Sequence, residues 1–395
     1  MRYSHHLSIF LGAFVILMLV GFLLSDQTSD RETEAQRLID MCSVSENRSR
    51  CYEVEVAALY PERSVYKVFD IIRTIRDLDP QYQFCHVLSH ALGERVVAED
   101  PARWVEAIPL NPADGLCSNG FIHGVIGGRF RAEVLDDAML EKFIPDFSRA
   151  CEPRENWSPS PLDQAICYHG MGHLFVFITD ADIAKGLSLC ERTAKGKNPR
   201  QDFRRVCREG VFMQIYQPLE PDDFLLIERM EVKPTKETVR EYCATFTQDE
   251  YVGACLRESW PLFREGVEDG YGIGEFCEGQ PNAREETACY ESAFSILGRM
   301  SLGDSEHIVE ACGSVPEERQ PMCYEYGAQT TLEEDRASGA KAVALCEQIP
   351  SQYQESCLLS LARKVVFNFG SSQSAREFCD LLPEKPRTVC VSTVR

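Results

Sequence analysis

The sequence lacks the short motifs that mark the common catalytic and cofactor-binding sites. It contains no GxSxG, HExxH or Walker A motif, and no GxGxxG in a strand–helix context. No two cysteines have the CxxC spacing, which excludes zinc knuckles, thioredoxin-like redox sites and CxxCH haem attachment. Strand signals are also few, and the apolar runs at 175–178 and 365–367 are better interpreted as buried helix.

The chain also lacks an excess of basic residues. Its 395 residues include 62 acids against 41 lysines and arginines, for a formal charge of −21. Nucleic acid and anionic membrane surfaces both require a basic footprint, so neither is expected as the main partner. A hydrophobic content of 44% excludes a disordered chain.

The N-terminus contains an uncharged apolar run of 18 residues, 7–24, which is about the minimum length that spans a bilayer. Arg2 precedes the run and several acids follow it, so the positive-inside rule predicts a signal anchor. Residues 1–6 would be a cytoplasmic stub and 25–35 a linker. The bulk of the chain would lie in the periplasm, a lumen or the extracellular space. A cleaved signal peptide is the alternative, and it also exports the chain.

Eighteen cysteines, an even number in an exported chain, indicate a disulfide framework. Two series recur every 33–35 residues, the second following the first by 11–12 residues. In each period, the sequence predicts a first helix that ends at a cysteine and is followed by a short turn. A second helix then carries the next cysteine in its first turns. This pattern predicts helical hairpins, each with a disulfide near its turn. The predicted pairs are Cys243–Cys255, Cys277–Cys289, Cys312–Cys323, Cys346–Cys357 and Cys379–Cys390.

The same pattern extends toward the N-terminus with longer and less regular spacings. It predicts the pairs Cys42–Cys51, Cys151–Cys167 and Cys190–Cys207. Cys85 and Cys117 both resemble second-helix cysteines without a first-helix partner, so we pair them across neighbouring hairpins. The extra length in this half falls at about 126–150, 174–189 and 213–242. Insertions in repeat arrays usually form loops on one face, often the binding face.

In period and hairpin form, residues 36–395 resemble helical-repeat proteins of the tetratricopeptide and Sel1-like kind. The resemblance is generic and carries over no functional residues. We predict an all-α fold: a right-handed superhelical array of about ten disulfide-linked hairpins behind the N-terminal transmembrane helix. Residues 36–242 would form irregular repeats that contain histidines, and 243–395 regular repeats of 34 residues. A compact all-α domain with irregular packing is the alternative.

Five of the eight histidines cluster just after three consecutive second-helix cysteines. They are His86, His90, His123, His169 and His173. Residues at i and i+4 share a helix face, so each of the two such pairs can reach one metal ion. Imidazole binds zinc, copper or iron, and nearby glycines would let helix backbones approach closely. The pattern predicts a shared transition-metal site, with two metals or a haem between two histidines as variants.

In the next repeat, Glu209 and Met213 occupy the positions after their cysteine that His169 and His173 occupy after theirs. Met213 would be a ligand that favours copper, although a methionine on a helix face is more often part of the core. Glu94 and Glu209 are weak candidates for catalysis. The histidines themselves could be structural, since ordinary repeats place glutamate in the comparable position. His86 and His90 follow their cysteine by one and five residues, whereas His169 and His173 follow theirs by two and six, and His123 follows its own by six. A shift of one residue rotates a side chain by about 100° around the helix, so His86 and His90 could point away from the other histidines.

Two functions follow from these patterns. The first is an exported, membrane-anchored protein with a histidine-rich metal or haem site, used in metal-dependent chemistry. The second is a non-catalytic scaffold that presents the face of the array to a protein partner. The regular C-terminal half favours the second, because it contains no residues that suggest chemistry.

Overall fold

The computed structural model describes residues 30–79, 81–82, 85–130, 133–198, 201–230, 233–301 and 304–394. Over these ranges the chain is helical, with two isolated β-bridges and no β-strand. The helices form ten successive hairpins. The paired elements are 30–43 with Arg48–Ala57, Val65–Leu78 with His86–Glu99, the short turns of Pro101–Leu110 with Gly120–Phe130, Asp137–Ala150 with Pro161–Ile178, Ile183–Thr193 with Phe203–Tyr216, Val239–Cys243 with Asp249–Glu258, Ile273–Cys277 with Ala283–Met300, Ser305–Gly313 with Gln320–Glu334, Gly339–Gln348 with Ser351–Phe369, and Gln373–Asp380 with Glu384–Val394.

Nine disulfides join the cysteines in the same pairs that the spacing predicts. Eight close a hairpin near its turn, and Cys85–Cys117 links two neighbouring second helices. The prediction of an all-helical, disulfide-rich fold is therefore confirmed. The apolar runs at 175–178 and 365–367 are helical, as expected.

The second helices of successive hairpins pack side by side in chain order. Glycines bring some of these helices into backbone contact. A Cβ on Gly124 would collide with the carbonyl oxygen of His90, and one on Gly172 with that of Cys207. The two closest helix pairs are thus His86–Glu99 with Gly120–Phe130, and Pro161–Ile178 with Phe203–Tyr216.

The array does not extend as an open stack, because its C-terminal half returns to contact the N-terminal half. Helix Pro161–Ile178 packs against Ser351–Phe369 as well as against its sequence neighbours. Arg336 is buried at this junction, and its guanidinium donates to a carboxylate oxygen of Asp163 and to the carbonyl of Ala113, both at 2.5 Å. Asp163 also completes the capping box that begins its own helix, so one carboxylate serves both the helix start and the junction.

The N-terminal predictions fall largely outside this description. The proposed stub 1–6 and membrane segment 7–24 lie outside the described residues. A helix covers 30–43, so it includes the end of the segment 25–35 that we assigned to a linker. Among the described residues, no helix has both the length and the apolar character needed to cross a bilayer.

The close approach at Gly172 gives a test of the packing. Gly172→Ala places a methyl group against the backbone of the neighbouring helix, and overpacking of this kind costs about 1–3 kcal/mol. We expect the free energy of unfolding, measured with denaturant and the disulfides intact, to fall by that amount. Gly274→Ala is the matched control, because a Cβ there meets no atom within 4 Å in the described structure. Equal effects of the two substitutions would contradict the packing argument.

Candidate metal centre

Three neighbouring second helices bring the five clustered histidines together. His86 and His90 lie one turn apart on His86–Glu99, His123 lies on Gly120–Phe130, and His169 and His173 lie on Pro161–Ile178. Despite the difference in register, the first pair faces the others. The reason is that Cys85 is the N-cap of its helix and bonds to Cys117 of the next hairpin. Its register therefore cannot be compared with that of cysteines inside a hairpin.

The five imidazoles form a continuous cluster. The ring centroids of His86, His90 and His123 are 4.6, 5.3 and 5.4 Å apart. His123 is 5.9 Å from His169 and 5.7 Å from His173, and the last two are 4.9 Å apart. His86, His90 and His123 form a group that could hold a metal ion, since each offers a ring nitrogen and these atoms lie within 4.8 Å of one another.

Every histidine of the cluster also has a ring nitrogen against a protein acceptor. Nδ1 of His86 lies 3.2 Å from the carbonyl oxygen of Cys117, and Nε2 of His123 lies 3.1 Å from that of Ile166. Nδ1 of His90 lies 2.9 Å from a carboxylate oxygen of Glu220. These acceptors fix the proton on the contacting nitrogen and leave the lone pair on the other, as the outer partners of metal-binding histidines do. Nε2 of His90 is buried and has no hydrogen-bond partner among the residues that the structure describes.

The two histidines of the third helix have the same kind of contact. Nδ1 of His169 lies 3.1 Å from the carbonyl oxygen of Val206, and Nδ1 of His173 lies 2.7 Å from the side-chain oxygen of Gln214. Gly170 leaves the space that the His123 ring fills, because a Cβ there would lie 2.5 Å from Cδ2 of that ring. Both roles expected for the glycines, close backbone approach and room for imidazole, occur in this cluster.

The carbonyl that binds His86 belongs to an unusual backbone segment. Cys117, Ser118 and Asn119 have φ values of 59°, 53° and 57°, in the left-handed region that residues with a Cβ seldom adopt. Such residues cost about 1–3 kcal/mol each and persist where their surroundings hold them. Asn111 donates to the side chain of Asn119 at 2.7 Å, and the Ser118 hydroxyl donates to Glu334. The C-terminal half of the chain thus helps to hold this segment.

Burial lowers the pKa of three of the clustered imidazoles, His86, His123 and His169, and so keeps them neutral. It lowers the pKa of His86 well below its usual value, with a further contribution from the neighbouring His90. Burial likewise lowers the pKa of His123, with His86 and His90 adding to the effect. The pKa of His169 falls to about 3, first because of burial and then because of His173. Neutral imidazole is the form that binds metal ions.

Of the weaker candidates Met213, Glu209 and Glu94, only Met213 lies against the clustered histidines and also lines the cavity in the described structure. Met213 lies in the cluster, with its sulfur 3.1 Å from Nε2 of His169. Glu209 forms ion pairs with Arg205 and Arg257 at 3.1 and 3.0 Å. Burial opposes its ionisation, but the two arginines hold the pKa of its carboxyl below the usual value. Glu94 is half-buried on the helix of His86. In the described structure, neither glutamate lines the cavity beside the histidines.

Sequence reasoning missed several residues around the cluster. Glu220 belongs to the 213–242 insertion, and although the insertion drew attention to this region, nothing in it singled out one acid. Gln217 lines the cavity and donates to Glu258 at 2.9 Å. Burial and the charge of Glu209 raise the pKa of Glu258 to about 8. Arg299 belongs to a regular repeat, yet its charge contributes to lowering the pKa of His86 and His169.

A small cavity adjoins the histidines. Its volume is about 40 Å³, enough for a few water molecules and too little for a larger organic molecule. The residues that line it include His86, His90, His123, His173, Met213 and Glu220. An ion bound by the first three would therefore have solvent-sized space beside it.

Comparisons of the chain with protein-family models, with curated proteins and with solved structures found no match.

The lowered pKa values predict how stability depends on pH. When the pKa of an imidazole is lower in the folded chain than in the unfolded chain, the group stabilises the fold at pH values above its unfolded pKa, about 6.5. This stabilisation is lost as the pH falls below 6.5 toward the folded value, by about 1.4 kcal/mol per pH unit for each such histidine. For the metal-free chain, we expect the free energy of unfolding to fall between pH 6.5 and 4. His169→Gln should reduce that slope by about one histidine's share. An unchanged slope in the variant would contradict burial of a neutral His169.

Proposed function

We propose that this protein binds a transition-metal ion through His86, His90 and His123. The observation that carries the proposal is the proximity of one ring nitrogen from each of these histidines. Their candidate ligand atoms lie within 4.8 Å of one another, and each ring has a protein acceptor that fixes its proton. Three imidazoles suit zinc, copper or iron, and Glu220 behind His90 gives a carboxylate–histidine pair of the kind that supports metal ligands.

The chemistry of such a centre would be restricted by its surroundings. Three protein ligands leave a coordination position for water, which a bound metal makes more acidic. The adjoining cavity of about 40 Å³ admits only small molecules, so a catalytic role would involve a small substrate. Glu258 would supply a protonated acid on the far side of Gln217, since its pKa is raised to about 8. Glu258 itself does not line the cavity and would act only through Gln217, whereas Glu94 and Glu209 neither line it nor bond to Gln217 in the described structure.

The geometry argues against the haem variant. A porphyrin between two histidines needs a flat space much larger than this cavity. The rings of His86, His90 and His123 instead contact one another edge to face. A metal ion, which needs little more than the space between ligand atoms, fits this packing better.

The alternative function is a scaffold with structural histidines. The hydrogen bond made by each ring favours it, because these contacts also stabilise the fold without a metal. The return of the C-terminal half against Pro161–Ile178 argues the other way, since it places a helix where an open array would offer its inner face. The buried Nε2 of His90 adds to the case for a ligand.

The location and long-range shape remain predictions. A signal anchor at 7–24 would attach the protein to a membrane with its bulk outside the cytosol. Nine disulfides are consistent with an oxidising compartment. The right-handed sense of the array is likewise a prediction from the sequence.

Metal analysis tests the proposed site. The full-length chain, purified without chelators and then titrated with Zn²⁺, should bind one equivalent at the three histidines. His90→Ala should abolish this binding because it removes a ligand. Glu220→Gln should weaken it by about 10–100-fold because it removes the carboxylate behind that ligand.

His307→Ala is the control, since His307 lies in another repeat, where its Nδ1 is 3.4 Å from the Ser301 hydroxyl. Zinc binding by His90→Ala at the level of the wild type would refute the site. An absence of binding by the wild type would favour the scaffold.

A further inference from the structure

The contact between His169 and Met213 is unusual in its chemistry. Nε2 of His169 lies 3.1 Å from the thioether sulfur of Met213. Nδ1 of the same ring lies 3.1 Å from the carbonyl oxygen of Val206. Both the carbonyl oxygen and the sulfur are acceptors, whereas a neutral imidazole has a single N–H to donate. The stronger acceptor is the carbonyl, so the proton belongs on Nδ1.

This assignment places two lone pairs against each other. With its proton on Nδ1, His169 turns the lone pair of Nε2 toward a sulfur that has lone pairs and no hydrogen. A metal ion between the two atoms would convert this contact into a pair of bonds. For metal–nitrogen and metal–sulfur distances of about 2.0 and 2.3 Å, a separation of 3.1 Å corresponds to an angle of roughly 90° at the metal.

The two side chains are held together by their helices rather than by chance rotamers. His169 lies on Pro161–Ile178 and Met213 on Phe203–Tyr216, which are in backbone contact. A Cβ on Gly210 would collide with the carbonyl oxygen of His169, and one on Gly172 with that of Cys207. Met213 follows Gly210 by less than one turn, so the tight crossing fixes the separation of the two donors.

A third donor is close by. The ring of His173 is 4.9 Å from that of His169, and its Nδ1 lies 2.7 Å from the side-chain oxygen of Gln214. As in the other rings, this acceptor leaves the lone pair on Nε2. His173 and Met213 also line the small cavity.

We infer that His169, His173 and Met213 form a second metal site, suited to a soft monovalent cation such as Cu(I). The inference extends the proposed function to a second position in the same cluster but uses different ligands. Thioether sulfur selects Cu(I) among biological metal ions. Both imidazoles and the thioether are neutral donors, and Nδ1 of His169 and of His173 lies against a neutral acceptor rather than a carboxylate, which favours a monovalent over a second divalent ion. The first site differs because the carboxylate of Glu220 supports one of its ligands.

The test compares two methionine variants of the full-length chain. Met213→Leu removes the sulfur at nearly constant volume, and Met171→Leu makes the same change in the buried core of the neighbouring helix. Each protein is titrated anaerobically with Cu(I), using ascorbate as the reductant and a chromophoric chelator as the competitor. X-ray absorption at the copper edge reports whether sulfur is bound.

With the first site filled with Zn²⁺, we expect the wild type and Met171→Leu to bind one equivalent of Cu(I) with a sulfur ligand at about 2.3 Å. Met213→Leu should lose the sulfur signal and weaken Cu(I) binding by about tenfold or more. It should keep zinc binding at the first site, which also shows that the variant is folded.

Two results would overturn the inference. One is copper without sulfur in the wild type, and the other is equal Cu(I) affinity in the two methionine variants. His90→Ala separates this result from the first site, because it should lose zinc and retain Cu(I). A wild type that binds Cu(I) through sulfur but binds no zinc would support the second site and refute the first.

Discussion

The backbones of neighbouring second helices touch, and the placement of the helices that carry the clustered histidines depends on that contact. Gly124 lies against the carbonyl of His90, and Gly172 lies against that of Cys207. With a larger residue at Gly124 the helices of His90 and His123 would separate, and these two rings would no longer be 5.4 Å apart. A larger residue at Gly172 would shift the helix that carries His169 and His173. Glycine normally weakens a helix by about 1 kcal/mol, so its repeated use here indicates that close approach has outweighed local helix stability.

A second constraint on the cluster is which ring nitrogen of each imidazole carries its single proton. Backbone carbonyls of Cys117, Ile166 and Val206 each fix the proton of one ring, and side chains of Glu220 and Gln214 fix the other two. The acceptors come from four different segments of the chain. Lone pairs are therefore directed by the fold as a whole, which makes the cluster a product of tertiary structure rather than of the HxxxH spacing alone.

The sequence was most informative where the pattern is local. The cysteine period predicts the hairpins because 9–17 residues separate the two members of each hairpin disulfide. The clustering of histidines likewise follows from their common position just after the cysteines of neighbouring second helices. Contacts between distant segments leave no such pattern: Glu220 is 130 residues from His90, and Arg336 is 173 residues from Asp163. Arg299 was missed for the same reason, since only the return of the array brings its charge near His86.

The disulfide between Cys85 and Cys117 has a consequence for the order of assembly. His86 directly follows one of these cysteines, and the carbonyl that fixes its proton belongs to the other, 31 residues away. Once the disulfide forms, His86 and the carbonyl oxygen of Cys117 are joined by a short covalent path through the two cysteines instead of by a stretch of 31 residues. The effective concentration of the acceptor rises accordingly, as it does for any tethered pair. Oxidation of the chain thus orients the ring of His86, and in the proposed site this disulfide would form before a metal ion binds.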